Sequence, residues 1–480
     1  MNFLYIHHNG VLVGKVSHDS QNSSYSFKYD KRWKSEGFEI SPSLGFNGFD
    51  DNAIKNFIEN LLPEGKGLEE LSVYLQISKS NKFAILKEIG FDTSGALTFS
   101  EDEMYTPYET SFREISDQEL EEKVNNMQIE PIHIWDSKPR LSVAGVQAKL
   151  PIVIIEGVMG LGEGEISSTH ILKFNKSGEN VTLNEYISMK LAKELGFNVA
   201  DVELKKIGRE DVLFVERFDR SIVDIKHVKK MHIIDSVQAL GLPVSFKYER
   251  NLGKNMPTIR LGVSYIKLFS LGKKAIVPVL FKEQIIKWSI INILLGNSDA
   301  HGKNISFFVK KEGIEVAPFY DLVNVTMYNN YEQDIAMAID DEFHFCDLKE
   351  YDFKEFFEAN KISTLLYFDE LKSAVKRLEV LFKDMGFISD ELLNENREFV
   401  ETYIENIIAR VNKISGVLNS VRFVLPFEGQ SDEEFYNESF QEIKKILGKS
   451  YDDKDSKREI VKRYLHKLKS RMIPLLSMVD

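Results

Sequence analysis

Apolar positions along this chain follow two regimes. Up to about residue 225 short strand-like runs dominate, and from there to about 420 helical spacing takes over. Near the start, Phe3 to His7, Gly10 to Val16 and Ser24 to Tyr29 read as strands between turns. A helix is predicted from Asp51 to Leu62, because Ile54, Phe57, Ile58 and Leu61 share one face and Pro63 ends it. The acidic stretch from Glu101 to Glu122 reads as a linker, and Gly157 to Glu165 as a hairpin turn. Leu183, Ile187, Leu191 and Leu195 form the stripe of a second helix, opened near Thr182 and stopped by Gly196. Inside the helical half, Ile305 to Val309 and Ile314 to Val316 flank a turn at Lys310 to Gly313, which predicts a hairpin. Phe423 to Ser431 breaks the pattern before a last charged section.

Composition narrows the classes. With 480 residues and 43% apolar side chains, the chain has room for about three folded units and is not of the disordered type. One cysteine, Cys346, leaves no internal disulfide and fits a reducing cytoplasm. The start lacks a basic segment followed by an apolar run, which argues against secretion. No apolar stretch approaches the roughly 20 residues needed to cross a bilayer; Trp288 to Leu295 is of the type that stays in a core. A net charge of −13 argues against broad, independent contact with nucleic acid, which needs clustered cations. The basic run from Lys457 to Arg471 suits the solvated face of an amphipathic helix.

The chemistry lies between Gly296 and Asp321. Asp299 is followed five positions on by Asn304, and Asp321 lies past the predicted hairpin. Protein kinases use an Asp-x4-Asn loop in which the Asp takes the acceptor's proton and the Asn holds a metal ion; a separate Asp completes the metal site. One carboxylate and one amide oxygen suffice for Mg²⁺, which takes hard oxygen ligands and bridges to phosphates. The same residues also suit ordinary surface turns. A further reading makes Asp299, His301 and Asp321 ligands of a hydrolytic metal ion.

Upstream, Lys173 sits in the apolar run Thr169 to Asn175, where it needs either exposure on an edge or a partner such as phosphate. Glu185 has two readings: a capping box with Thr182, or the helix acid that orients a phosphate-binding lysine. Ser142 to Lys149 offers small residues, a glycine and a lysine for approach to phosphate. Val215 to Arg220 ends a strand and supplies backbone groups beside an apolar face, as a nucleotide base requires.

These pieces in this order resemble the HipA family of bacterial serine/threonine kinases, the toxins of toxin–antitoxin pairs. The likeness covers residues 1 to roughly 340. It includes Asn56 to Pro63, Gly95 to Phe99, Gly241-Leu242-Pro243 and Lys247-Tyr248-Glu249, along with the motifs above. It implies an α+β, two-lobed, protein-kinase-like fold, with a strand-rich N-lobe, an added N-terminal subdomain and a mainly helical C-lobe. The corresponding units are residues 1–110, 111–225, 226–425 and a divergent extension at 426–480. The resemblance makes Asp299 the catalytic base, Asn304 and Asp321 the Mg²⁺ ligands, and Lys173 the ATP-phosphate lysine. It assigns Ala144, Gly145, Val146, Gln147, Ala148 and Lys149 to the phosphate loop. Glu216, Arg217 and Phe218 become adenine contacts, Asp219 the ribose contact, and His301 and Tyr320 further nucleotide neighbours. Ser142 matches a serine that such kinases phosphorylate on themselves, where added charge would eject the loop. The implied partners are ATP, Mg²⁺, a helix-turn-helix, HipB-like antitoxin that carries the DNA contact, and a protein substrate; some family toxins act on the translation machinery. The implied outcome is growth arrest in the cytoplasm. A nucleotide-sensing pseudokinase co-repressor and a small-molecule kinase are the alternatives.

Overall fold

The computed structural model of the chain describes residues 2–420, apart from 51, 92, 107–108, 128, 137, 141–147, 176–178, 254–255, 257 and 363. Ser142, Ala144, Gly145, Val146 and Gln147 and the extension at 426–480 therefore lie outside the described residues.

The first hundred residues build a four-stranded antiparallel sheet in the order Ser24–Tyr29, Val11–Asp19, Asn2–His8, Leu97–Ser100. The helix Ala53–Leu61 lays its predicted stripe on this unit: Ile54, Phe57, Ile58 and Leu61 are all buried. The sides of that helix left outside the core are used as well. The Asn56 amide donates to the Gly241 carbonyl at 2.8 Å, and Asn60 to that of Leu242 at 3.0 Å, so two separate sequence motifs meet there.

A six-stranded sheet follows, ordered Val202–Ile207, Glu210–Glu216, His170–Lys173, Lys149–Ile155, Val158–Glu163, Ser111–Glu114. Two expectations are corrected here. The acidic 101–122 segment is not merely a linker: Ser111–Glu114 forms the edge strand, and the helix Asp117–Asn125 buries Leu120 and Val124 beneath the sheet. Nor is 157–165 only a turn, because Val158–Glu163 is itself a strand paired to both neighbours, with turns at Glu156-Gly157 and Gly164-Glu165 on either side of it. Ser111–Glu114 carries too few apolar residues to announce a strand, which its edge position makes tolerable, and the glycines of Val158–Glu163 disguise that strand as a turn. The helix Val181–Glu194 closes this lobe with Leu183, Ile187 and Leu191 buried, and Gly196, at φ 87°, ends it where a left-handed residue is required.

Beyond residue 230 the chain is mainly helical. Its centre is the helix Pro278–Leu295, started by proline at its first turn and buried all round from Trp288 to Leu295, as that apolar run requires. It delivers the chain into the 296–304 loop. The predicted hairpin then forms between Ser306–Lys310 and Gly313–Val316, with Ile233–Asp235 as the third strand. No helix among the described residues is long and apolar enough to cross a membrane.

Candidate functional site

A cavity of about 1330 Å³ opens between the six-stranded sheet, the 296–304 loop and the N-terminal unit. Lys149, Lys173, Glu185, Glu216, Arg217, Phe218 and Asp219 line it from one side, and Asp299, His301, Asn304, Tyr320 and Asp321 from the other. Every proposed site residue within the described range thus faces one space, with Ala148 at its rim.

On the sheet, Lys173 stands opposite Lys149 in register, so two cations share one face. Cross-strand like charges destabilise a sheet unless something neutralises them. Here Glu185 and Asp321 do so. Lys173 Nζ lies 2.6 Å from Glu185 Oε1 and also pairs with Asp321 Oδ1. Burial works against the charge on Lys173, yet Asp321 and Glu185 raise its pKa above the ordinary lysine value. Burial likewise disfavours the Asp321 anion, but Lys173 and Lys149 hold that carboxyl well below the usual range. Glu185 is pushed up by burial, against the pull of Lys173. The capping-box reading of Glu185 is not what the helix does. Its N-cap is Asn180, and Thr182 instead donates through its hydroxyl to Asn175 Oδ1 at 2.9 Å and the Asp211 carbonyl at 2.9 Å.

Across the cavity, the loop begins at Gly296, a left-handed C-cap at φ 70°. Asp299 sits exposed at the turn. Its backbone carbonyl accepts from His301 N at 2.7 Å and from Asn304 Nδ2 at 2.9 Å. That second bond uses the amide nitrogen of Asn304 and leaves its oxygen as a donor for a cation. Tyr248 O–H donates to Asp299 Oδ1 at 2.5 Å. Crowding by surrounding protein raises the Asp299 pKa, opposed by that hydrogen bond and by Lys247.

The hairpin returns the chain as expected. Ala317 N bonds the Ser306 carbonyl at 2.9 Å, and Tyr320 O–H donates to the Lys303 carbonyl at 2.7 Å. Asp321 itself adopts φ 56°, with its carbonyl held by Asn297 Nδ2 at 3.1 Å. The parallel bridge Val199–Phe319, with Ala200 N on the Phe319 carbonyl at 2.9 Å, ties this segment to the end of the 181–194 helix. The hydrolytic-metal reading fails on geometry. His301 Nδ1 is occupied by Lys303 N at 3.3 Å, its ring packs edge-on against Tyr248, and no metal-holding group of His, Cys, Asp and Glu forms among the described residues.

At the cavity's inner end, Phe218 packs 5.9 Å from Tyr320, centroid to centroid. Asp219 is clasped by Arg217 (3.0 and 2.9 Å) and Arg220 (2.5 Å), and Arg217 also reaches Ser168 Oγ at 2.9 Å. Burial opposes the Asp219 charge, and the two guanidinium groups overcome it and lower its pKa. The arrangement presents an aromatic face, backbone groups at a strand end and a fixed anion.

Sequence reasoning missed the contribution of the N-terminal unit. Lys303, next to Asn304, donates to the Asn60 carbonyl at 3.0 Å and to Asp235 Oδ2 at 2.8 Å, while Glu64 bonds Lys247 Nζ at 2.9 Å. Nothing local in 56–64 signals these bonds, since their partners lie about 180 residues or more away.

A sheet lobe bearing a Lys–Glu pair, set against a helical lobe bearing Asp299, Asn304 and Asp321, defines a two-lobed, kinase-like α+β fold. The HipA-like C-terminal domain matches residues 141–383, and the HipA N-terminal domain matches residues 4–100. The serine/threonine-protein kinase toxin HipA of Shewanella oneidensis is 40% identical over 425 residues, spanning 88% of this chain and 98% of that protein. A solved structure of Shewanella oneidensis HipA with HipB and operator DNA superposes with a TM-score of 0.79, covering 88% of this chain and all of that one. The chain belongs to the HipA family and is a homologue of a toxin kinase.

Proposed function

We propose that this chain is an ATP- and Mg²⁺-dependent serine/threonine protein kinase that arrests growth when it is not restrained by a HipB-like, helix-turn-helix antitoxin. One observation carries the proposal: Lys173, Asp299, Asn304 and Asp321, from three separate stretches, converge on a single cavity. The donor set suits the ion, with an amide oxygen on Asn304 and a carboxylate on Asp321 held anionic by two lysines. Bound Mg²⁺ would neutralise charge on the β- and γ-phosphates during transfer.

The chain's own groups account for the rest. Lys173 and Lys149, side by side on the sheet, bind and orient phosphate oxygens, with Glu185 keeping Lys173 extended into the cavity. Asp299 accepts the proton of the acceptor hydroxyl, which the loop presents from the opposite wall. Glu216 and Arg217 at the strand end and the ring of Phe218 receive the adenine, Asp219 the ribose, and His301 and Tyr320 complete the wall. The family resemblance assigns phosphate binding to residues 144–149 and makes phosphorylation of Ser142 the step that inactivates the enzyme. DNA contact is delegated to the antitoxin, which fits a net charge of −13. The acceptor is a cytoplasmic protein whose modification slows growth, the translation machinery being the first place to look.

Phosphoproteomics of cells expressing the wild type or Asp299→Ala tests this. New Ser/Thr phosphosites, Ser142 among them, are expected with the wild type only. Identical phosphoproteomes would reject the kinase reading, and phosphorylated metabolites in their place would indicate a small-molecule acceptor.

A further inference from the structure

The Lys247-Tyr248-Glu249 segment was singled out as a motif, yet the transfer scheme above uses none of it. We propose that Tyr248 is a positioning residue for Asp299: its phenolic hydroxyl ties down Oδ1 and leaves Oδ2 to receive the acceptor's proton. This deepens the kinase reading and rests on it.

Three observations support the role. The bond is short, 2.5 Å, and Tyr248 is the only side chain donating to the Asp299 carboxylate among the described residues. A donor to an ionised group both stabilises and aims it. The tyrosine is also anchored on a rigid frame. Gly302 N bonds the Lys247 carbonyl at 2.8 Å, Glu249 N the Ala336 carbonyl at 3.0 Å, and Gly262 N the Glu249 carbonyl at 3.1 Å. Buried Glu249 adds a bond from Arg260 Nε at 2.7 Å and one from Ala338 N at 2.8 Å. Any side chain at Gly262 would overlap the Tyr248 carbonyl, so the close approach depends on glycine there. Finally, the ring itself is seated. Its face-to-edge contact with His301 has centroids 5.0 Å apart at 86°.

The frame decides between two roles for the hydroxyl. A mobile tyrosine reaching the base would stand in the acceptor's place and block it. One whose two neighbours, Lys247 and Glu249, are bonded through their backbones to the catalytic loop and to the 334–339 strand moves with the base it serves, and so preorganises it. Because Asp299's backbone is fixed by His301 and Asn304, the Tyr248 bond removes the remaining freedom of its side chain.

Tyr248→Phe keeps the ring and deletes only the donor. In the full-length chain, transfer of γ-³²P from ATP to a degenerate Ser/Thr peptide mixture is expected to lose about tenfold to a hundredfold in kcat, the size of one hydrogen bond to a charged group. KM and Kd for ATP are expected to stay at wild-type values, which a merely structural defect would not respect. Should the phenylalanine variant fail to fold, Tyr248→Met takes its place with the same expectation. A kcat equal to or above that of an active wild type would overturn the positioning role, a rise identifying the hydroxyl as a plug, and would leave the kinase reading intact. A wild type that transfers no phosphate to peptide or to itself would remove both.

Discussion

Lys173 Nζ lies 2.6 Å from Glu185 Oε1, and the two groups come from a strand and a helix that are both buried in the same lobe. The pair is completed by Asp321 from the other lobe, so one ammonium joins the sheet, the helix and the returning loop.

That arrangement makes Lys173 structural as well as chemical. Replacing it with Met leaves the buried Glu185 carboxylate without its direct partner and takes one of two lysines from Asp321, and breaking a buried pair this way costs about 3–5 kcal/mol. Lys173→Met is therefore expected to abolish phosphate transfer and also to lower the denaturant midpoint. Equilibrium urea unfolding checks this; an unchanged midpoint would mean that Glu185 and Asp321 are paired elsewhere.

The seam between the N-terminal unit and the 296–304 loop predicts a pH dependence. Burial disfavours the Glu64 anion, but Lys303 and Lys247 outweigh it and hold the pKa below its ordinary value. A carboxyl depressed by folding contributes stability above its unfolded pKa of about 4.3, and that contribution is lost as pH falls through the folded value. Glu64→Gln is expected to be less stable than wild type at pH 7 and to show a shallower loss on acidification. Parallel stability curves between pH 3 and 7 would contradict the assignment.

Gly296 begins the 296–304 loop at φ 70°, and a Cβ there would overlap the Arg410 guanidinium and the Thr326 hydroxyl. Arg410 caps the preceding helix through the Leu294 carbonyl at 3.0 Å and bonds Asn406 at 2.8 Å. Gly296→Ala is expected to cost about 1–2 kcal/mol from the left-handed backbone alone, plus the displacement of Arg410. Thermal unfolding measures it. A variant as stable as the wild type would show that the loop start is free to adopt another conformation.

How much was legible in the sequence follows from the range of each interaction. The stripes at 54–61 and 183–195 are local patterns, and each lands in the structure where it was expected; Asp299 and Asn304, close in sequence, both line the cavity. The Ser111–Glu114 strand was not legible, because an edge strand of Ser, Phe, Arg and Glu needs no alternation of burial. Thr182 and Glu185 fit a capping pattern, and tertiary packing overrode it by offering both side chains better partners. Tyr248, Lys303 with Asn60, and Arg410 escaped for the same reason. Their partners are 51, 243 and 116 residues away, and no periodicity encodes a contact of that span.

The central claim is that Asp299 is the base of a phosphoryl transfer carried out in this cavity. Purified wild type and Asp299→Ala, compared for ATP affinity by calorimetry and for ³²P transfer in single turnover, test it most directly. Equal affinity with a rate lowered about a hundredfold to ten-thousandfold is the predicted result. Transfer by Asp299→Ala at the wild-type rate would contradict it.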